Sequence, residues 1–348
     1  MKKQDSKISR RKKEHLDIAL NKNVSFISKT TGFEKYDFIH YALTEIDLNK
    51  IDLSTYFFNK KISFPFMISS MTGGTSEANN LNSDLAVVAN ELNIPIGVGS
   101  QRQAIEDSEH HKTYSVIRQK APSIPVVGNI GASEIAAAKN INEFQKLVDL
   151  IEADAFIVHL NPLQELLQHD GNTKFEGFYN KLIELVKVLS VPVIVKEVGS
   201  GISKKVAKRF LDIGVKGIDT AGAGGTSWAG IEIIRSNRSL DNPFWDWGLP
   251  TSYCIRQINK LKKEYKFSLI ASGGIKNGFD AAKALALGAD ITASAKTILK
   301  ILTGQSIINT IDFIIDWHET IKKIMFLTGS EKLSELNKSK LIRKKELY

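Results

Sequence analysis

The sequence predicts an α/β fold: a closed (β/α)8 TIM barrel with an N-terminal extension and a long loop after the sixth strand. Eight short runs of apolar, β-branched residues recur along the chain, and most are followed by a segment of helical periodicity. That alternation belongs to a parallel sheet wrapped by helices. A third observation is that the runs end in clusters of Ser, Thr, Asn, Gly or charged residues, where such a barrel carries its chemistry. A doubly wound sheet shares the alternation but rarely needs eight units.

Residues 1–60 hold no clear strand–helix repeat and read as the extension; 61–300 read as the barrel and 301–348 as C-terminal helices and a basic tail of the same domain. The strand runs are 65–70, 95–99, 125–130, 155–160, 192–198, 217–221, 268–272 and 290–295. Several open on proline, which a strand accepts at its first residue. Between them, periodicity predicts helices over 78–92, 133–151, 179–189, 203–213, 251–265 and 279–287. Ser203 is the expected N-cap of the fourth of these. Turns such as Gly288-Ala289-Asp290 end a helix and return the chain to the sheet. The segment 236–248, with Pro243, Phe244, Trp245 and Trp247, is a long aromatic insertion, a contact or a lid.

The composition is that of an ordinary globular chain, 43% hydrophobic and 24% charged. The single cysteine, Cys254, excludes an internal disulfide framework and a thiolate metal cluster. No apolar run reaches the roughly 18 to 20 residues of a membrane span, and the lysine-rich N-terminus has no signal-peptide core, so a cytoplasmic protein with no membrane partner is expected. The net charge of +9 admits either nucleic acid or small phosphorylated ligands. Much of it sits at the ends, in Lys2, Lys3, Lys7 and Arg10 to Lys13, and in Lys338, Lys340, Arg343, Lys344 and Lys345. Because it is not laid along one helix with interleaved aromatics, no nucleic-acid partner is expected.

Glycine pairs at the ends of strands six and seven, with Lys276 and Lys296 nearby, suit a phosphate group, since small residues let backbone amides approach an anion. Plain turn glycines are the alternative. Lys196 follows Val193-Ile194-Val195 and should point into the barrel mouth, where an ammonium needs an anionic partner. The electron-rich edge of a flavin, a Schiff-base role, or an ion pair with Glu197 are the uses open to it. His159, Asn161, Gln164 and Glu165 leave the fourth strand together, and one carboxylate is what Mg2+ often takes from protein when phosphates and water supply the rest. Glu165 could equally begin a helix.

These residues resemble, in order and spacing from residue 10 to about 300, the type 2 isopentenyl-diphosphate isomerases. The resemblance is carried by Arg11-Lys12-x-x-His15, Ser70-Met71-Thr72-Gly73-Gly74, Gly99-Ser100-Gln101-Arg102, His159-Leu160-Asn161-Pro162-Leu163-Gln164-Glu165, Lys196-Glu197-Val198-Gly199 and Ser272-Gly273-Gly274. It implies interconversion of isopentenyl and dimethylallyl diphosphate with FMN, Mg2+ and NADPH or NADH as flavin reductant, the reduced flavin acting as acid–base catalyst. By the same resemblance Ser70, Met71, Thr72, Ser100, Asn129, Lys196, Thr226, Gly273, Gly274, Ile275, Lys276, Ala295 and Lys296 would hold FMN. Arg11, Lys12, His15, Ser100, Gln101, Arg102, His159, Asn161 and Gln164 would hold the diphosphate substrate. Glu165 would bind Mg2+, and His159, Gln164 and Lys196 would serve catalysis. A homo-oligomer, tetramer or octamer, is implied as well.

Ser70, Ala221, Ala223 and Lys296 depart from the family pattern of alanine, serine, arginine and arginine, which bears on FMN affinity. Lysine keeps the charge of arginine but loses its fork. The competing reading is an FMN barrel oxidoreductase acting on a small phosphorylated or hydroxy-acid substrate. A thiolate version is disfavoured because Cys254 falls in a predicted helix, and a hydroxy-acid version because 268–276 lacks a His–Arg pair.

Overall fold

The computed structural model describes residues 7–347. Lys2 and Lys3, counted among the terminal cations, lie outside the described residues, as does the side chain of Lys7.

Each of the eight predicted runs contains a strand: β1 (Phe66–Ile68), β2 (Ile96–Gly97), β3 (Val126–Gly131), β4 (Ala155–Leu160), β5 (Val193–Glu197), β6 (Gly217–Asp219), β7 (Ser268–Ala271) and β8 (Ile291–Ser294). They pair in sequence order and close, β8 lying parallel to β1 with Ala293 opposite Met67. Strand residues alternate between two apolar layers, as side chains on a pleated strand must. Met67, Val127, Ala155, Ile157, Ile194, Ile270, Ile291 and Ala293 fill the barrel interior. Their neighbours, such as Ile68, Val126, Phe156, Val158, Val193 and Val195, pack outward against the helices.

The extension is more ordered than its sequence suggests. Lys7–Asn21 forms a helix, α1. Thr55–Phe57 and Lys60–Ile62 form an antiparallel hairpin whose Phe57 and Ile62 join the interior layer and stopper the barrel. Its turn uses Phe58 at φ 51, a left-handed residue where glycine or asparagine would have announced the turn. Farther on, Tyr36–Phe38 pairs antiparallel with Leu341–Arg343. The basic tail is therefore docked: Lys340 Nζ donates to Thr328 O at 2.8 Å and Lys344 lies 3.8 Å from Asp37.

Two predicted helices are broken. Instead of 133–151 there are Ala132–Ala137, a 3-10 turn Ile141–Phe144 and Gln145–Leu150, because the Asn140 side chain accepts from Asn142 N–H and offers the backbone a turn in place of a helix. The helix expected over 251–265 runs Thr251–Ile258 and tightens to a 3-10 turn at Asn259–Lys263. Helices Lys112–Lys120 and Ile307–Leu327 complete the outer layer. Among the described residues, no helix is long and apolar enough to cross a membrane.

Candidate active site

A cavity of about 840 Å3 opens where the strands end, lined by Ser69 to Gly73 after β1, Gly99 and Ser100 after β2, Asn129 on β3, His159 on β4, Lys196 on β5, and the turns after β6, β7 and β8. α1 crosses this mouth and lines it with Arg11, Lys12, His15, Leu16, Ala19 and Leu20. The aromatic insertion holds the segment after α1 in place. Asp246 accepts from the backbone N–H groups of Ile27 and Ser28, each at 2.7 Å, and Trp245 Nε1 donates to Ser25 O at 2.9 Å. Trp245 is buried against Gly230, where a Cβ would come within 2.8 Å of its ring.

Lys196 points inward as expected, and its protein anion is not the Glu197 weighed from sequence. Its Nζ donates to Asp219 Oδ2 on the neighbouring strand at 2.7 Å and to Ser272 Oγ at 3.1 Å, and Ser272 Oγ donates to Asp219 Oδ1 at 2.5 Å. Glu197 faces away and accepts from the backbone N–H groups of Val198, Gly199, Ser200 and Gly201. Burial nevertheless pushes its carboxyl up to about 7. The next turn is strained: Ala221 sits at φ 31, a conformation worth about 1 kcal/mol of strain for a residue with a Cβ.

His159 Nδ1 lies 2.8 Å from Asn129 Oδ1. The Asn129 Nδ2 group donates to Val98 O at 3.1 Å, so its oxygen is the acceptor, Nδ1 carries the proton and Nε2 is left with a lone pair. Burial, with Lys196 and Lys12 opposing the help of Glu134, lowers the imidazole to about 4. It is a neutral hydrogen-bonding group at neutral pH. Gln101 departs from expectation: it is fully buried, donates from Nε2 to Leu147 O at 2.9 Å and accepts from Asn129 N–H at 3.0 Å. The amide lies beneath the cavity floor, bracing Asn129, and is not placed to touch a ligand in the mouth.

After β7 and β8 the cavity is cationic. Lys276, Lys296 and Lys300 all line it, and none of the three ammonium groups has an ion pair among the described residues. Burial, then Lys300 and Lys276, lower Lys296 to about 8. The glycine pairs here let loops meet: a Cβ at Gly225 would lie 2.4 Å from Gly274 N, and one at Gly273 2.2 Å from Gly222 O. Thr226, Ile275 and Ala295 complete this end.

The other end carries arginine. A second cavity of about 850 Å3 adjoins through Arg11, Arg102, Glu134, Glu165 and Gln168, and none of the three lysines reaches it. Arg102 donates to Glu134 at 3.1 Å and to Glu106 at 3.0 Å. Lys12 is tied to the rim, where burial followed by Arg11 lowers its ammonium to about 7. His15 Nε2 lies 2.7 Å from Glu232 Oε1, edge-on to Trp228. Glu232 is fully buried and also accepts from Arg235 Nε at 2.8 Å; burial raises its carboxyl, but His15 and Arg235 outweigh that and hold it below the usual range. Gln164 Nε2 is 3.5 Å from the same carboxylate. Glu165 accepts from Asn161 Nδ2 at 2.9 Å and Asn172 N–H at 2.6 Å, while the buried Asn161 Oδ1 has no donor among the described residues.

Ser70, Met71, Thr72, Ser100, Asn129, His159, Asn161, Gln164, Glu165, Lys196, Thr226, Gly273 to Lys276, Ala295, Lys296, Arg11, Lys12, His15 and Arg102 thus line one cavity. Asp219, Glu232, Glu134 and Lys300 belong beside them and were missed. Asp219 ends an apolar strand and Glu232 sits within the apolar helix Trp228–Arg235, and a lone charge in an apolar run was the available signal. Cys254 is buried with its thiol raised to about 12 by burial, as a packed side chain.

The chain matches the model of the FMN-dependent dehydrogenase family over residues 4–124 and 161–343. Proteins named isopentenyl-diphosphate delta-isomerase are similar over nearly the whole length. One from Chlorobium phaeobacteroides is 45% identical across 96% of this chain and 95% of its own, and one from Pseudescherichia vulneris is 43% identical across 96% and 97%. Among solved structures, a flavocytochrome b2 with sulfite bound superimposes with TM-score 0.71 at 19% identity, covering 94% of this chain and 82% of that one. A mandelate oxidase with benzaldehyde gives 0.66 at 16% identity, covering 95% and 93%. At such identities the structures speak for the fold, whereas the full-length relatives speak for the activity. The chain belongs to the isopentenyl-diphosphate delta-isomerases of the FMN-dependent dehydrogenase family.

Proposed function

We propose that the cavity interconverts isopentenyl diphosphate and dimethylallyl diphosphate by an allylic proton shift against reduced FMN, with Mg2+ on the diphosphate and NADPH or NADH as the flavin's reductant. The observation that carries the reading is one cavity with two cationic ends, three unpaired lysines at one and Arg11, Lys12 and Arg102 at the other, joined by neutral amides and an uncharged imidazole.

FMN fits the lysine end. The half-buried Lys296, with the exposed Lys276 and Lys300 beside it, suits an anion, a side chain on Gly225 would crowd the loop at Gly274, and the buried Ser70 Oγ has no partner among the described residues. When bound, the flavin supplies an electron-rich ring able to give and take a proton beside an alkene. Lys196, held by Asp219 and Ser272, presents a fixed positive charge from the barrel floor, suited to the ring edge where negative charge collects. His159, fixed as the Nδ1–H tautomer by Asn129, and Gln164, leaning on Glu232, orient substrate without carrying charge into the mouth. α1 with Leu16, Ala19 and Leu20 covers the site and excludes water, which would quench a cationic species.

Mg2+ fits the arginine end as a cation taking one carboxylate from protein. Glu165 keeps lone pairs free, the unpartnered Asn161 Oδ1 is beside it, and no cluster of three acidic, His or Cys ligands exists among the described residues. A cytoplasmic tetramer or octamer accords with the reading, and the exposed Phe244 and Trp247 would be available to it as contact residues.

An anaerobic assay with FMN, NADPH, Mg2+ and isopentenyl diphosphate tests the proposal. Dimethylallyl diphosphate should form without stoichiometric NADPH loss. No dimethylallyl diphosphate, with flavin bound and its reduced form reoxidised by another acceptor, would favour an oxidoreductase instead.

A further inference from the structure

Gly73 and Gly74 follow β1 in a turn with no room for side chains. A Cβ at Gly73 would lie 2.2 Å from the Tyr114 ring, and one at Gly74 1.9 Å from Gln103 Oε1. The glycine pair admits two side chains beneath the turn, one from Lys112–Lys120 and one from Arg102–Glu106. Both reach α1. Gln103 Nε2 donates to Ser9 Oγ at 2.8 Å, and the Tyr114 hydroxyl accepts from Lys12 Nζ at 3.2 Å.

Tyr114 is fully buried, does not line the cavity, and donates its own proton to Ser100 O at 2.8 Å. The remaining protons of Lys12 go to Gly73 O at 2.7 Å and Ser100 O at 3.1 Å. An ammonium has three donors. All three are thus taken by neutral oxygens, and no carboxylate is within ion-pair distance among the described residues. The charged groups around it are Arg11 on α1, Arg102 and Glu106 on the helix behind, and Glu134 on Ala132–Ala137. The cation is oriented by dipoles and lacks a counter-ion.

We propose that Tyr114 is a positioning residue: anchored to the Ser100 carbonyl, its hydroxyl fixes the Lys12 ammonium at the rim and so seats α1 for capture of a diphosphate. The identity of that anion rests on the isomerase reading; the seat itself does not.

Tyr114→Phe keeps the ring under Gly73 and removes one hydroxyl. In the FMN-loaded protein, the KM and the calorimetric Kd for isopentenyl diphosphate should rise about tenfold, the scale of a hydrogen bond to a charged group, with kcat changing less than about threefold. In a Lys12→Met background the same substitution should add nothing; full additivity would mean that Tyr114 does not act through Lys12 and would overturn the proposal. A readout free of substrate accompanies it. The pH midpoint for acylation of Lys12, read by mass spectrometry, should fall in Tyr114→Phe, because an acceptor hydroxyl favours the charged form. An unmoved midpoint would also overturn the proposal. If wild-type protein binds no isopentenyl diphosphate while the midpoint moves, the isomerase reading fails and the positioning role stands.

Discussion

Asp219 lies at 0% exposure beside Lys196 and was not singled out from sequence, although it compensates that buried cation. Asp219→Asn strands that ammonium, and removing one partner of a buried pair costs about 3 kcal/mol or more. Urea unfolding should show that loss, together with weaker flavin retention. Glu165→Gln should abolish most of the Mg2+ requirement with turnover while leaving flavin bound; an unchanged Mg2+ titration would remove the metal from this residue. His159 gives a pH signature. Its folded value of about 4 lies below that of an ordinary histidine, so between the two the unfolded chain binds more protons and stability falls as pH falls. Denaturation of His159→Gln across pH 6.5 to 4 should lack that part of the loss. The site residues that sequence reached were those standing at strand ends in polar clusters. Gln101 stands in such a cluster too, and its downward rotamer, set by the Leu147 carbonyl, has no trace in the local sequence.

At the scale of elements, the two glycine loops after β6 and β7 are built to touch. A Cβ on Gly225 meets backbone at Gly274, which cannot swing aside as a side chain could. Gly225→Ala should therefore push the two loops apart, lowering the melting point of the apo-protein and weakening FMN binding by about tenfold or more, read by thermal denaturation and flavin fluorescence. Strands were legible because β-branched runs punctuated by proline are distinctive. Helix interruptions were not, since Asn140 competes with the helix through one side-chain hydrogen bond. The hairpin was hidden for a related reason: strands of three residues carry too little alternation, and Phe58 gives no turn signature.

For the whole molecule, that hairpin joins the extension to the barrel interior. Phe57 is buried at 1% exposure among Met67, Ile157, Ile270 and other interior side chains. Phe57→Ala should destabilise the fold by about 3 to 5 kcal/mol, read as a lowered denaturation midpoint with the m-value unchanged. The docked tail, through Tyr36–Phe38 against Leu341–Arg343, ties the C-terminal segment to the N-terminal extension.

The stopper has a consequence for traffic. With one end of the barrel plugged by Phe57 and Ile62, the proposed function would have flavin, reductant and diphosphate share the doorway that α1 overhangs. On that reading a flavin bound inside would have to enter first and leave last, and a nicotinamide and the alkene would take turns at its face. Turnover would then be a queue, and an excess of either visitor should slow the other in steady-state kinetics.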